Sequence, residues 1–233
     1  MIDTLPLLTP DECQDVVNRL HEARPHWTRR HPMAPFFTLG NPSYLDGGNP
    51  PSPAYLEACV GGNAFLAPLF ADVYARLEET LARHFQARLA RAPRTALPGF
   101  HIFLAHKAFT KPVASLHLDL QYEKISWPED SFYSTEQPLS FTLALQLPAS
   151  GGGLTWWPLD EKTVLGMPGA ELKEAVRSTP AEFFPYRTGH LALHSGHLLH
   201  QISPSPKMEK GEARITLQGH GLWGRDGVLY LYW

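Results

Sequence analysis

The feature that most constrains this chain is a change of texture after Pro98, where helical periodicity gives way to short runs bounded by Gly, Pro, Ser or Asn. The runs are "GFHIFLAH" (99–106), "SLHLDL" (115–120), "LSFTLALQL" (139–147), "GLTWW" (153–157), "EFFPY" (182–186), "HLALH" (190–194), "LLHQI" (198–202), "ARITLQGHGLW" (213–223) and "VLYLYW" (228–233). Several alternate polar and apolar residues, as half-buried strands do, because successive side chains point to opposite faces. "GRDG" (224–227) reads as a hairpin turn between the last two. Helices first and then eight or nine punctuated strands predict an α+β, mainly β chain built on a β-sandwich or jelly roll. The expected division is a helical part over about 1–97 and a β core over about 98–233, within one domain spanning 1–233. All-β barrels and sandwiches often reach this length as a single unit.

The helical part carries its own signals. In "LTPDECQDVVNRLHEA", Thr9 is placed as N-cap, Pro10 at the first helical position and Glu12 for a capping box. Cys13, Val16, Val17 and Leu20 follow helical spacing. A second helix is expected from about Ala64 to Leu89, with Pro68 as a point where it splits. Residues 31–63 are rich in Pro, Gly and Asn and read as irregular. Together with 121–138 they are expected to act as lids, a frequent role of long loops in compact domains.

Bulk properties exclude some partners. The net charge is −3 and charged residues make up 18% of the chain, so there is no basic footprint for nucleic acid. No stretch approaches the ~20 apolar residues of a membrane span. The N-terminus lacks the basic start and apolar run of a signal peptide. Cys13 and Cys59 form no metal or redox motif. These features predict a cytoplasmic protein with free thiols.

Within "HLDLQYEK" (117–124), His117 and Asp119 stand two residues apart and share a strand face. Two side chains cannot close a metal site, and "GHLALHSGHLLHQISP" offers His190, His194, His197 and His200 as a third ligand. Two histidines and one carboxylate form a facial triad that binds Fe(II) and leaves coordination positions open. In "RITLQGHG", Arg214 and Thr216 again share a face. An arginine fork with a hydroxyl beside it suits the far carboxylate of a dicarboxylic acid.

The order His-x-Asp, distal His, Arg-x-Thr resembles the Fe(II)/2-oxoglutarate-dependent dioxygenases, in particular the prolyl-4-hydroxylase-like branch. "LLTPDEC", "LSFTLALQLPASGGGLTWW" and "TGHLALHSGHLLHQI" resemble that branch's first helix, its strand into a Gly-Gly turn, and its Gly-led strand pair. The resemblance is strong over 99–223, loose over 1–30 and 64–97, and absent over 31–63. It implies a double-stranded β-helix (jelly roll) with N-terminal helices packed on one sheet. It also implies Fe(II) on His117, Asp119 and His200, and 2-oxoglutarate held by Arg214 and Thr216. Oxygen would be the second co-substrate, with ascorbate as a possible reductant. The implied reaction is hydroxylation of an unactivated C–H bond of a small molecule, amino acid or short peptide, with release of succinate and CO2. Asp119 disfavours halogenation, for which the halogenating relatives carry a small residue there. The sequence departs from the family twice. "QISPSPKMEKGEA", between His200 and Arg214, is longer than usual, and the strand before His-x-Asp lacks the tyrosine that often contacts the co-substrate.

Other residues have ordinary readings. His197 falls at a tight turn, His190 and His194 suit structural roles, His220 suits packing under the hairpin, and His101 and His106 have no assigned role. Ser140, Thr142, Ala144 and Gln146 form a polar strand face that points either into the barrel or to solvent. Trp156 and Trp157 face opposite sides of their strand. Two rival classes remain at this point: a non-oxidative jelly-roll protein binding a metal or ligand, and a metal-dependent hydrolase using the same triad. Neither requires the Arg214–Thr216 pair.

Overall fold

The structure is a computed structural model that describes residues 1–48, 52–112, 114–125, 127, 133–159 and 161–233. In chain order the elements are β1 (Asp3–Pro6), α1 (Pro10–Glu22), β2 (Thr28–Arg29), β3 (Phe36–Leu39), α2 (Ser43–Asp46), α3 (Pro53–Leu69), α4 (Ala71–Phe85) and β4 (Arg88–Arg91). There follow β5 (Gly99–Leu104), β6 (Tyr133–Gln146), β7 (Gly153–Trp156), α5 (Glu161–Val164), α6 (Gly169–Ser178), β8 (Glu182–Pro185), β9 (His190–Ser195), β10 (His200–Ile202), β11 (Ala213–Gly224) and β12 (Val228–Tyr232).

Local signals explain the helices. Thr9 and Glu12 form the reciprocal capping box and Pro10 opens α1, so two of the orphan N–H groups at the helix start are satisfied. The expected 64–89 helix is two helices, α3 and α4, meeting at Phe70 with a bend of 91°. Pro68 lies within the last turn of α3, where it has no N–H to donate to the Ala64 carbonyl. Helix also reaches back to Pro53, and β3 and α2 occupy part of the segment expected to be irregular. Of that segment, 49–51 lie outside the described residues, as do 126 and 128–132 of the expected second lid. No single described helix is long and apolar enough to cross a membrane.

The large sheet runs β1-β9-β6-β11-β5-β3-β2, with β12 and β4 continuing from β11; the small sheet runs β10-β7-β8. "SLHLDL" is not a ladder strand. Its pairing is a single antiparallel bridge, His117 to His200, with N–H···O bonds of 3.0 Å in both directions. That bridge aligns the His-x-Asp segment beside β10 at the edge of the small sheet. Two sheets with this strand order, antiparallel except for the parallel β12–β4 pair, form the expected jelly roll, with helices against one face.

The main core lies between helices and large sheet. Val16, Val17 and Leu20 of α1 and Val73, Leu77 and Leu81 of α4 belong to one cluster with Phe100, Ile102, Phe141, Leu143, Ile215 and Leu217. The alternate residues of the same strands form the sheet's other face, toward the interior.

Candidate metal centre

Cross-strand register assembles the interior face. Thr38, His101 and Thr216 are directly paired neighbours on β3, β5 and β11, and His220, Ser140 and His194 are paired neighbours on β11, β6 and β9. Gln218 pairs with Thr142. Ser140 and Thr142 line a cavity of about 790 Å³, which places the polar face of β6 inward. Gln146 and Ala144 are not among its walls. Ring contacts put His101, Phe103 and Phe36 on the same inner surface.

His117, Asp119 and His200 converge at this cavity, with ligand atoms all within 4.8 Å of one another. Each imidazole Nε2 lies 3.6 Å from an Asp119 carboxylate oxygen, His117 from Oδ1 and His200 from Oδ2. Both histidines are oriented through their other nitrogen: Nδ1 of His117 lies 2.7 Å from the Ser115 carbonyl, and Nδ1 of His200 lies 2.7 Å from that of Leu198. A carbonyl can only accept, so each Nδ1 carries a proton and Nε2 is the nitrogen left facing Asp119. Gln121 opens a 3-10 turn, and its amide donates to Asp119 Oδ1 at 2.8 Å. The Asp119 N–H donates to the Gly196 carbonyl at 2.7 Å, tying the ligand segment to the turn before β10.

Electrostatics favour a cation here. Burial alone would raise the Asp119 pKa, but the positive charges that the surrounding imidazoles carry in acid, His200 foremost and then His220, His194 and His117, hold it below the usual carboxylate range. Burial draws the His200 pKa down to about 4, only partly opposed by Asp119, so its imidazole is neutral near pH 7. A neutral imidazole and an ionised carboxylate are the forms in which these groups bind metal.

Arg214 is buried, at 4% exposure, without a carboxylate within ion-pair distance among the described residues. Its two terminal nitrogens make only long contacts, 3.5 Å to the Ser203 carbonyl and 3.4 Å to that of Gly153, and Nε has no partner. Its guanidinium carbon lies 5.4 Å from the Tyr186 ring centre and 5.9 Å from that of Phe103. Those two rings line the cavity, so Arg214 stands one side chain behind its wall. Gly153 is required locally, since a Cβ there would come within 2.2 Å of the Phe184 carbonyl oxygen of the neighbouring strand. Thr216 is buried at 1% exposure and its Oγ1 has no hydrogen-bond partner.

The remaining histidines divide clearly. His197 Nδ1 pairs with Glu161 at 2.7 Å. His194 and His220 line the cavity, His194 with its ring 4.8 Å from that of His200, and His220 with Nδ1 3.2 Å from Ser140 Oγ. His190 Nδ1 lies 3.2 Å from the Thr188 carbonyl, on a half-buried side chain at the start of β9. Three cavity residues had no sequence signal. His101, directly opposite Thr216, has Nε2 2.6 Å from the Tyr44 hydroxyl and a buried Nδ1 without a partner, and burial pulls its pKa to about 3. Tyr44 and Tyr186 come from segments far from the motif, and only the fold brings them in.

No protein-family model matches the sequence, and neither does any curated protein. Solved structures do match. An N-substituted L-amino acid dioxygenase from Burkholderia ambifaria AMMD superposes with TM-score 0.52 at 13% identity, covering 99% of this chain and 85% of that one. AviO1 from Streptomyces viridochromogenes Tue57 gives 0.51 at 13% identity, covering 94% and 88%. HygX from Streptomyces hygroscopicus, solved with nickel, 2-oxoglutarate and hygromycin B bound, gives 0.50 at 12% identity, covering 94% and 82%. At such identities the likeness is one of architecture: this chain has the jelly-roll fold of these proteins.

Proposed function

We propose that the protein is a non-haem Fe(II)/2-oxoglutarate-dependent oxygenase in which His117, Asp119 and His200 hold the metal and Arg214 and Thr216 hold the far carboxylate of 2-oxoglutarate. One observation carries the reading: a convergent two-histidine, one-carboxylate set lines a cavity with a buried guanidinium behind its wall that has no carboxylate partner among the described residues. The donor set fits the metal, since both imidazoles are held in the tautomer that presents Nε2. The orphaned Arg214 Nε and Thr216 Oγ1 fit an incoming carboxylate, because a buried unpaired charge is costly and a bound anion removes that cost. A structural metal site or a hydrolytic one leaves that arginine unexplained.

Bound Fe(II) with 2-oxoglutarate and oxygen would supply oxidation of an unactivated C–H bond, most simply hydroxylation, with succinate and CO2 as co-products. The chain's own residues do the positioning. Gln121 fixes the Asp119 carboxylate, the Ser115 and Leu198 carbonyls fix the imidazoles, and the cavity walls limit water around the reacting bond. Small molecules rather than long peptides suit a cavity of about 790 Å³, within the range typical of small-molecule sites. The small-molecule ligand of HygX agrees with this.

Single replacement of His117, Asp119 or His200 by Ala tests the metal assignment, because each removes one of three protein ligands. Each should abolish succinate formation without unfolding the protein. His197→Ala should retain turnover; if it lost activity while His200→Ala kept it, the distal ligand would be wrong.

A further inference from the structure

Within the cavity the polar groups are unevenly spread. His117, Asp119 and His200 form one part of the lining, and Arg214 lies behind the rings of Phe103 and Tyr186. A stretch of the wall is apolar and built from a cluster separate from the main core: Ala34, Phe103 and Phe109 with Phe36, Ala108 and Ile202 packed on it. All six line the cavity. Phe36 and Phe103 are stacked in parallel, 4.4 Å apart and 2° from coplanar, and Phe109 meets Phe103 edge-on at 5.2 Å. Ile202 stands two residues after His200 on β10, so the apolar wall begins beside the proposed metal ligand.

The mouth has a different character. Lys111 and Lys124 are exposed at its edge, and neither has an acidic partner among the described residues. Glu123 is the acidic residue beside them. A small dicarboxylate fills only a fraction of about 790 Å³, which leaves room for a ligand that spans from mouth to metal.

We infer, resting on the function proposed above, that the primary substrate is an amphipathic organic acid. Its aromatic or aliphatic body lies on the Phe36–Phe103–Phe109 wall, and its anionic group lies at the mouth near Lys111 and Lys124. The oxidised carbon belongs to the apolar body, because that is what the Ile202 side of the wall brings beside His200. Flat rings and alkyl chains gain from burial against aromatic faces, while the two ammonium groups select the charge.

The test uses 4-phenylbutanoate and its uncharged analogue 4-phenylbutanamide, titrated calorimetrically under argon into protein loaded with Fe(II) and 2-oxoglutarate, and into metal-free protein. The acid should bind the loaded protein about threefold to tenfold more tightly than the amide, the size expected of two exposed ion pairs. Lys111→Ala combined with Lys124→Ala should erase that preference without weakening the amide. Ala108→Phe, or Leu45→Trp at another point of the lining, should weaken both probes at least tenfold while 2-oxoglutarate still binds. Equal binding of acid and amide, a preference that survives the lysine replacements, or unchanged affinity in both filled-cavity variants would overturn the inference. If wild-type protein bound no 2-oxoglutarate yet kept a lysine-dependent preference for the acid when metal-free, the proposed function would fall and the acid site would stand.

Discussion

On β11, Ile215 and Leu217 face the helices while Arg214, Thr216, Gln218 and His220 face the interior, so one strand serves two surfaces of opposite chemistry. The outer face is close-packed and apolar. The inner face holds buried polar atoms that lack partners, Arg214 Nε, Thr216 Oγ1 and His101 Nδ1 among them. Folding energy comes from the first surface, and the second lowers stability by burying polar groups that have no protein partner among the described residues. Residues one position apart should therefore respond in opposite ways to replacement.

The largest contrast is expected at Arg214. Arg214→Met removes a buried charge that has no carboxylate partner, and the metal-free protein should become more stable, by about 1–4 kcal/mol in the manner of buried ions replaced by apolar side chains. Its 2-oxoglutarate affinity should fall at least about a hundredfold, equivalent to roughly 3 kcal/mol at 1.4 kcal/mol per decade. Urea denaturation and equilibrium binding read the two effects separately. A variant that is destabilised and still binds 2-oxoglutarate would mean that the two faces do not divide the work as described.

Leu217→Ala supplies the converse. The side chain is fully buried in the helix–sheet core, and large-to-small changes of this kind cost about 2–5 kcal/mol. The fraction that remains folded should bind Fe(II) and 2-oxoglutarate as wild type does. Thr216→Val is the mildest case. It conserves shape and removes a hydroxyl that has no partner in the ligand-free protein, so stability should change little. The loss in 2-oxoglutarate affinity should be about 1–2 kcal/mol, one hydrogen bond to a charged group. An equal loss of stability in this variant would show that Oγ1 serves the fold rather than the ligand.

The same division explains what could be read from the sequence. Alternation made the strands of both sheets visible, and the spacings His117–Asp119 and Arg214–Thr216 survive any error in strand boundaries because they depend only on i and i+2 sharing a face. His200 was selected from four candidates by resemblance, and the structure brings it beside Asp119 because the His117 bridge aligns the two segments. The short strands β1 to β4 carry no such signal: they are two to four residues long and are held by tertiary pairing, β1, β3 and β4 with distant strands and β2 with β3, rather than by their own pattern. Tyr44 and Tyr186 were invisible for the same reason. Tyr44 belongs to a segment fastened by tertiary contacts, among them the Arg30–Asp46 ion pair, with Arg30 Nη2 2.7 Å from Asp46 Oδ2, and the bond from Tyr44 to His101. The tyrosine absent from the strand before His-x-Asp has no counterpart at that point in the sequence. In the fold, His101 stands on that strand opposite Thr216.

The central claim is that one interior serves both a metal and a dicarboxylate. It is tested most directly by titrating the protein with Fe(II) and 2-oxoglutarate under strictly anaerobic conditions and following the visible spectrum. A weak charge-transfer band that appears only when both are present, and that Arg214→Met shifts to at least about a hundredfold higher 2-oxoglutarate concentration, is the predicted result. Saturating metal binding with no band at any 2-oxoglutarate concentration would contradict the claim and leave a metal-binding jelly roll without a co-substrate.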